Sequence, residues 1–170
     1  MRFVKFFLFA LVSLFLVFTA LSLLFPSHLR VTRVINVSAD KTKTLQVIAD
    51  IQTWDHWNRF VQNPELTNKK FEPAAPGCGY FSSDQMTIRL SDPDTTGVAL
   101  LWDLKHGKQY PGGIDLFYIN RDSLTVQWYF DLNFRWYPWE KLGAFVYDRK
   151  LGPVMEESLD SLRSYLEKSR

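Results

Sequence analysis

The sequence predicts an α+β fold: a curved antiparallel sheet wrapped around a long C-terminal helix, preceded by one N-terminal transmembrane helix. Three observations support this prediction. Segment 6–25 is apolar and uncharged, apolar and polar residues alternate between 66 and 136, and leucines recur at helical spacing after Pro153. About 145 residues follow the apolar segment, which is enough for one domain with a single hydrophobic core.

The first element is a helix long enough to cross a membrane. Only three polar residues, all Ser or Thr, interrupt segment 6–25. Twenty helical residues span roughly 30 Å, the thickness of the hydrocarbon core of a bilayer. A cleaved signal peptide is the alternative, because Arg2 and Lys5 precede the segment and residues 20–22 resemble a cleavage site. The segment continues past that site, which favours a retained anchor.

Orientation follows from the charges that flank the anchor. Basic residues lie on both sides of it, so the positive-inside rule is nearly balanced. A short basic N-terminus usually stays inside, and we therefore expect a single-pass membrane protein with its domain on the extracytoplasmic side. We expect residues 1–26 to form the anchor, 27–30 a linker and 31–170 the domain. A linker this short would keep the domain within about 15–20 Å of the lipid surface.

The domain begins with a predicted strand and two short helices. Residues 31–37 alternate between apolar and polar side chains, as in a half-buried strand. Asp40 and its neighbours offer an N-cap for a helix from Lys41 to about Ile51. A second helical segment at 54–61 carries two tryptophans three residues apart, which gives it one apolar face.

The middle of the chain predicts antiparallel strands. Alternating segments at 86–90 and 98–104 stand between turn sequences, and we interpret 76–79, 92–94 and 111–113 as those turns. The clearest strand covers 124–136, where every even position is apolar. Such long alternation indicates a strongly bent or twisted strand with one buried face.

The C-terminal region predicts two consecutive helices. Pro138 begins the first, which ends near Lys150, and Gly152-Pro153 begins the second, because proline is favoured at the first helical position. Apolar residues spaced by four, four, three and four make the second helix amphipathic: Leu151, Met155, Leu159, Leu162 and Leu166. The face of a curved sheet is the one surface large enough to cover that apolar side.

Three segments are similar to parts of one known superfamily. Residues 31–57, with Asp50, Trp54 and Trp57 in a D-x-x-x-W-x-x-W pattern, look like its first strand and helix; 76–80 looks like its glycine hairpin. Residues 142–159 look like the start of its C-terminal helix. The chain thus resembles the START-like superfamily, also called SRPBCC or polyketide cyclase/dehydrase-like. The resemblance implies a helix-grip fold with a cavity between sheet and C-terminal helix that accepts apolar ligands.

Where many members of that superfamily carry an Ala-Pro pair, this chain has Ala39-Asp40, which alters only how the first helix begins. If the strand parity is right, aromatic side chains project from the sheet towards the helix. They either line a ligand cavity or fill it as core. The predicted ligand-binding residues are Trp54, Trp57, Trp102, Tyr118, Trp128, Phe130 and Phe134. Segment 135–139 has a further interpretation as a membrane-surface element, because Trp, Tyr and Arg favour that interface.

Composition excludes several function classes. The net charge is +2 with acids and bases interspersed, so no basic stripe of the kind nucleic-acid binding requires is present in the sequence. Cys78 is the single cysteine, which excludes an internal disulfide and zinc-ligand spacing. We expect no nucleic-acid partner, no metal and no cofactor.

Catalysis would need a general acid or base facing the cavity. The candidates form no motif, and we predict no catalytic residue; they are Asp55, His56, Asp103, His106, Tyr118 and Tyr147. The sequence therefore favours a membrane-anchored domain that binds a lipid or another hydrophobic small molecule. The alternatives are a cyclase/dehydrase-type enzyme acting on an apolar carbonyl substrate and a ligand-free envelope scaffold.

Overall fold

The structure of the chain is a computed structural model, which describes residues 2–24, 26–74, 78–91, 94, 96–105, 107–120, 123–135 and 137–168. Helices and strands follow in the order α1 (Arg2–Leu23), β1 (His28–Val37), α2 (Lys41–Ala49), α3 (Trp54–Trp57), α4 (Arg59–Gln62), β2 (Lys70–Pro73), β3 (Gly79–Ser82), β4 (Met86–Ser91), β5 (Gly97–Leu104), β6 (Gln109–Asn120), β7 (Ser123–Asn133) and α5 (Pro138–Lys168). A 3₁₀ turn, Ile51–Thr53, joins α2 to α3.

The strands form one antiparallel sheet in the order β1-β7-β6-β5-β4-β3-β2. From β2 to β7 each strand pairs with the next strand along the chain, while β1 pairs with β7 from His28–Asn133 to Val37–Leu124. The first strand of the domain therefore lies beside the last one. The predicted curved antiparallel sheet with a long C-terminal helix is confirmed.

Alternation along the strands decides which side chains form the core. In β7, the even positions from Leu124 to Leu132 are buried and the odd positions are more exposed. β4 and β5 show the predicted alternation as well, with Ile88, Leu100 and Trp102 buried. Because neighbouring pleated strands present paired residues on the same face, these side chains form one continuous apolar surface.

Helix α5 covers this surface with the predicted apolar side. Met155, Leu159, Leu162 and Leu166 are each at most 1% exposed. The helix contacts β1 and the short helices α3 and α4. Burying a leucine side chain contributes roughly 1.5–3 kcal/mol, so this face dominates the attachment of α5 to the sheet.

The prediction of a helix break at Gly152-Pro153 is wrong, because α5 continues through Pro153. Proline removes one backbone donor from the helix interior, which is unfavourable. Arg33 of β1 binds acidic residues of α5 on both sides of Pro153. Its Nε donates to Glu156 at 2.6 Å and its Nη2 donates to Asp148 at 3.1 Å.

The interpretation of 111–113 as a turn is also wrong, because Pro111-Gly112-Gly113 lies inside β6. A Cβ on Gly112 would lie 2.4 Å from the carbonyl oxygen of Tyr129 on β7. A Cβ on Gly97 of β5 would lie 2.2 Å from the carbonyl oxygen of Ile114. These glycines allow adjacent backbones to approach closely where the sheet bends.

β1 begins earlier than the sequence pattern predicts. Residues His28 to Arg30, expected in the linker, already pair with β7. The backbone oxygen of Ser27 accepts a hydrogen bond from the amide of Phe134 at 2.8 Å. The sheet therefore starts within a few residues of the end of α1.

Helix α1 is long and apolar enough between Phe3 and Leu23 to cross a membrane, a test that a signal sequence passes as well. Most of its side chains are exposed, Phe3 at 89%. Its C-terminal end contacts α5, where Lys141 Nζ donates to the backbone oxygen of Ser22 at 3.0 Å. A lysine at a helix C-terminus satisfies a carbonyl and complements the helix dipole.

Candidate functional site

Six aromatic side chains fill the space between the sheet and helices α3 to α5, and we call them the aromatic cluster: Trp54, Trp57, Phe60, Trp102, Trp128 and Phe130. The rings contact one another at centroid distances from 5.1 Å, for Trp54–Trp57, to 6.3 Å, for Trp102–Trp128. All except Phe60 are at most 3% exposed. Tilted and edge-on ring pairs of this kind add to the stability gained from burial.

Local capping positions the two tryptophans of the short helix α3. The carboxylate of Asp50 accepts from the amide of Gln52 and so starts the 3₁₀ turn. Trp54 Nε1 then donates to the carbonyl of Ile48 at 3.0 Å. Trp57 lies one turn further on the same helix face and contacts Trp128 on β7 at 6.1 Å. A chain-local hydrogen bond thus orients the ring of Trp54, and ring packing against Trp54 and Trp128 orients that of Trp57.

Phe60 stands at the edge of the aromatic cluster. Its ring contacts Trp102 at 5.1 Å, Trp128 at 5.7 Å and Phe130 at 6.1 Å. Asn58 Oδ1 accepts from the amide of Phe60, and Phe60 itself is half-buried. It is the one described member of the aromatic cluster that also lines a cleft, so its ring lies between the cleft and the other rings that it contacts.

The cleft has a volume of about 790 Å³ and opens between α4, the loop after it, strands β4 and β5, and α5. This size falls within the range of roughly 300–1,000 Å³ that is usual for small-molecule sites. Half of the described lining residues are apolar: Phe60, Pro64, Leu66, Met86, Leu104, Leu151 and Val154. The other half are polar or charged, and the charged ones are exposed: Arg59, Gln62, Asn63, Gln85, Lys105, Lys150 and Glu157.

Charge at the opening is predominantly basic. Arg59, Lys105 and Lys150 carry positive charges there, and Glu157 carries a negative one. Arg59 Nη1 donates to Gln62 Oε1 at 2.7 Å, and its backbone amide donates to Ser158 Oγ of α5 at 2.9 Å. The second bond joins α4 to the long helix on one side of the cleft.

The structure brings five of the seven predicted ligand-binding residues together in the aromatic cluster. None of these five is among the described residues that line the cleft. They are Trp54, Trp57, Trp102, Trp128 and Phe130. Their rings form a buried layer behind Phe60. With Phe60 in its present position these rings are part of the core. They would line the cleft if the ring of Phe60 moved aside.

Phe134 and Tyr118 lie outside that group. The Phe134 ring contacts Tyr147 of α5 at 5.7 Å, so it does project towards the helix. Tyr118 is 60% exposed near the end of β6, so it lies outside the aromatic cluster, and its part in ligand binding stays a prediction. It pairs with buried Leu124 of β7, and the register shifts directly after it, between Tyr118 and Asn120.

Four buried donors have no acceptor in the described part of the protein. Three are the indole Nε1 atoms of Trp57, Trp102 and Trp128, and the fourth is Nδ2 of Asn58. Buried indole N–H groups usually find a partner, and a donor left unpaired costs roughly 1–3 kcal/mol. The aromatic cluster therefore combines close ring packing with unused hydrogen-bonding capacity.

A tyrosine pair occupies a second position beneath α5. Tyr110 Oη donates to Tyr147 Oη at 3.1 Å. Burial raises the pKa of Tyr110 far above its usual value, and the hydrogen bond to Tyr147 raises this pKa further. The Tyr110 phenol is therefore a neutral donor at physiological pH and a poor general base.

The other catalytic candidates lie elsewhere. His56 is exposed and contacts the ring of Tyr165 at 5.6 Å. Asp103 forms an ion pair with Arg89 at 3.5 Å, and Asp55 is exposed. His106 lies outside the described residues. Of the candidates that the structure describes, none lines the cleft.

Sequence reasoning missed Phe60 and the apolar lining of the cleft. A signal for Phe60 existed, since it follows Trp57 by three residues and Trp54 by six. Leu66 and Pro64 carried no periodic signal, because they belong to the loop after α4. Only the folded chain brings that loop opposite α5.

No family model and no curated protein matches the chain. Solved structures do. A START superfamily protein from Mycobacterium smegmatis is 12% identical with a TM-score of 0.62, and the match covers 83% of this chain and 99% of that protein. The Zhui aromatase/cyclase from Streptomyces sp. R1128 is 13% identical with a TM-score of 0.62, covering 83% and 94% of the two chains.

A two-domain relative is similar over half of its length. The di-domain ARO/CYC StfQ from the steffimycin biosynthetic pathway is 11% identical with a TM-score of 0.61. That match covers 84% of this chain and 51% of StfQ. At such identities the likeness concerns the fold alone.

Proposed function

The chain has the START-like fold, and on this premise we propose that it is a membrane-anchored binding domain for a lipid or another hydrophobic small molecule. The cleft beside Phe60 is the observation that supports this role. It combines apolar lining residues with a few exposed charged ones, which is the usual composition of a small-molecule site. A lipid could bury its chain in the cleft and leave its head group at the opening.

The N-terminal helix supports the membrane part of the proposal. α1 has the length and composition of a membrane span, and Lys141 links its C-terminal end to α5. Residues 1–26 would serve as the anchor, and the domain would lie on the extracytoplasmic side. A domain held next to the bilayer could receive a lipophilic ligand without that ligand crossing water.

Cyclase activity is the second candidate. Two of the structurally similar proteins are named as aromatase/cyclases, and that name applies to them. In this chain the described ionisable groups that line the cleft are Arg59, Lys105, Lys150 and Glu157. All four are exposed, so none of them is a buried acid or base beside an apolar substrate. We therefore favour the binding role.

Ligand retention tests the proposed function. The full chain is purified in lipid nanodiscs, and small molecules that remain bound in excess of empty nanodiscs are identified by mass spectrometry. Val154→Trp would fill the cleft from α5, and we expect it to reduce retention about tenfold or more, equivalent to about 1.4 kcal/mol. Val146→Trp is the matched control, because Val146 is on the same helix, 50% exposed and not part of the cleft lining.

The two variants separate the outcomes. Retention lost with Val154→Trp and kept with Val146→Trp would support a ligand in the cleft. Equal retention by wild type, both variants and empty nanodiscs would contradict the binding role and favour the scaffold alternative. A product formed from an apolar carbonyl substrate by the wild type, but not by Val154→Trp, would favour the cyclase alternative.

A further inference from the structure

Resting on the proposed function, we infer that this site selects apolar molecules carrying an acceptor oxygen, such as a ketone or ester carbonyl. The oxygen binds the unpaired indole N–H groups of the aromatic cluster after the ring of Phe60 moves aside. The inference depends on the donors behind Phe60, on the position of that ring and on the chemistry of indole.

Three of the four residues with unpaired donors adjoin Phe60. Trp102 and Trp128 contact its ring directly, at 5.1 and 5.7 Å. Asn58 accepts the backbone amide hydrogen of Phe60 through Oδ1, while its Nδ2 has no acceptor. The fourth, Trp57, contacts Trp128 and lies one ring further from Phe60.

Trp54 shows that an indole N–H within the aromatic cluster can have a hydrogen-bond acceptor. Its Nε1 donates to the carbonyl of Ile48, and its ring is as buried as that of Trp57. Of the other three indoles, which have no acceptor, those of Trp102 and Trp128 contact Phe60. Trp57 and Trp128 are 0% exposed and Trp102 is 3% exposed, so bulk solvent does not reach them.

The chemistry of these groups decides the class of ligand. Indole nitrogen only donates, and Nδ2 of the asparagine amide also only donates. A carbonyl oxygen has two lone pairs and can accept from two such groups at once. A hydrocarbon of the same shape would leave every donor unpaired. Sites with unused buried donors therefore discriminate strongly against ligands that lack the acceptor.

Phe60 is placed to control access. It belongs to the short helix α4, Arg59–Gln62, whose start is joined to α5 by the bond from the Arg59 amide to Ser158. A rotation of the Phe60 side chain would connect the cleft to Trp102 and Trp128 without breaking that bond. Aromatic side chains change rotamer far faster than helices unfold.

The test compares 9-fluorenone with fluorene, two molecules of nearly identical shape that differ in one carbonyl oxygen. The full chain, with ¹⁵N-labelled tryptophan, is placed in lipid nanodiscs, and binding is corrected for partition into empty nanodiscs. We expect fluorenone to bind about tenfold more tightly than fluorene. We also expect it to shift the indole N–H resonances of Trp102, Trp128 or Trp57.

Controls lie within the same molecule. The indole resonance of Trp54 serves as an internal reference, because its donor is already paired, and it should not move with either probe. Trp128→Phe should bring the two affinities within about twofold of each other. Phe60→Leu should raise the association rates of both probes and keep the preference for fluorenone. If a tryptophan variant does not fold, the indole resonances of the wild type still show whether the probe binds the unpaired N–H groups.

The outcomes distinguish this inference from the proposed function. Equal binding of both probes without indole shifts would overturn the inference and leave apolar binding intact. An unchanged association rate in Phe60→Leu would overturn the role of Phe60. Binding of neither probe, together with no retained lipid, would overturn the inference and the proposed function together.

Discussion

The pair Arg30 and Asp131 shows how single residues join the first and last strands. Arg30 donates to both carboxylate oxygens of Asp131, each at 2.7 Å, and its guanidinium lies 4.3 Å from the ring centre of Tyr129. The hydrogen bond from Arg30 holds the pKa of Asp131 below its usual range, against the opposing effect of burial. The folded state therefore favours the ionised carboxylate.

Asp131 should give the stability of the domain a defined dependence on pH. Because its pKa is lower in the folded than in the unfolded chain, its contribution is present above about pH 4 and is lost as pH falls through the folded-state pKa. We expect Asp131→Asn to destabilise the wild type at pH 7 by about 0.5–1 kcal/mol. Denaturant unfolding of the full chain in detergent, from pH 3 to 7, measures the difference.

Glu65→Gln is the matched control, because it removes the same charge from an exposed loop position. We expect it to leave stability within about 0.5 kcal/mol of wild type. A destabilisation by Asp131→Asn that stays constant down to pH 3 would contradict the proposed role of the carboxylate.

Tyr118 shows what residue-level patterns omit. Alternation identifies the face of a strand on which a side chain lies, and Tyr118 shares its face with buried Leu124. Alternation does not reveal how far the covering elements extend. Trp128, near the middle of β7, is 0% exposed, whereas Tyr118, near the end of β6, is 60% exposed. The same reasoning therefore identifies the strand face at both positions but does not predict how much of each side chain is buried.

At the scale of elements, the bend of the sheet depends on glycines inside strands. Gly112 lies where β6 passes between β5 and β7, pairing with Leu100 on one side and Phe130 on the other. Its missing side chain allows the carbonyl of Tyr129 to approach. A sequence reading that treats Pro-Gly-Gly as a turn misses this role, because turns and strand bends need the same residue types.

Gly112→Ala should destabilise the domain by about 2 kcal/mol or more, because the new methyl group would collide with backbone that cannot move freely. Gly107→Ala is the comparison variant, because it changes the cost of the backbone conformation without causing a steric collision. Gly107 has a φ of 75° and nothing within 4 Å of a Cβ, so only the conformational cost of roughly 1–2 kcal/mol applies. Thermal unfolding monitored by near-UV circular dichroism compares the two. A smaller loss for Gly112→Ala than for Gly107→Ala would contradict this account of the bend.

Helix α5 shows that a local break signal can be overridden. Pro153 is unfavourable inside a helix, yet Met155 and Leu159 beyond it are buried on the same surface as the rest of the core. Arg33 binds acidic residues on both sides of the proline. Burial of several apolar side chains outweighs the loss of one backbone hydrogen bond.

At the scale of the whole molecule, the contact between α1 and α5 fixes how the domain stands relative to its N-terminal helix. Lys141 is 5% exposed and donates to the backbone oxygen of Ser22. Because β1 starts at His28, little chain is left to act as a flexible connection. We expect the domain to keep one orientation relative to α1 rather than to move freely.

Lys141→Met should release that orientation, since it removes a charged hydrogen bond worth roughly 1.5–3 kcal/mol while preserving the length of the side chain. Spin labels at exposed Leu11 and Glu167 report the distance between α1 and the end of α5 in nanodiscs. We expect a broader distance distribution for Lys141→Met than for wild type. Lys150→Met, an exposed lysine on the same helix, should match wild type, and an unchanged distribution in both variants would contradict a fixed orientation.

The sequence by itself determined the elements whose signals are periodic and local. These include the apolar N-terminal helix, the alternation that buries Trp102 and Trp128, and the apolar side of the C-terminal helix. Each depends on the identity of residues two to four positions apart, which can be read directly from the sequence. The fold class follows, because such faces have few ways of covering one another.

Only the tertiary structure decided where the cleft lies and what separates it from the tryptophans. Leu66, Leu104 and Val154 are distant in the chain and meet only when the loop after α4 lies opposite α5. Whether a buried ring fills space or borders a site depends on contacts between such distant segments. That is why Phe60, one ring among many in the sequence, holds the decisive position in the folded protein.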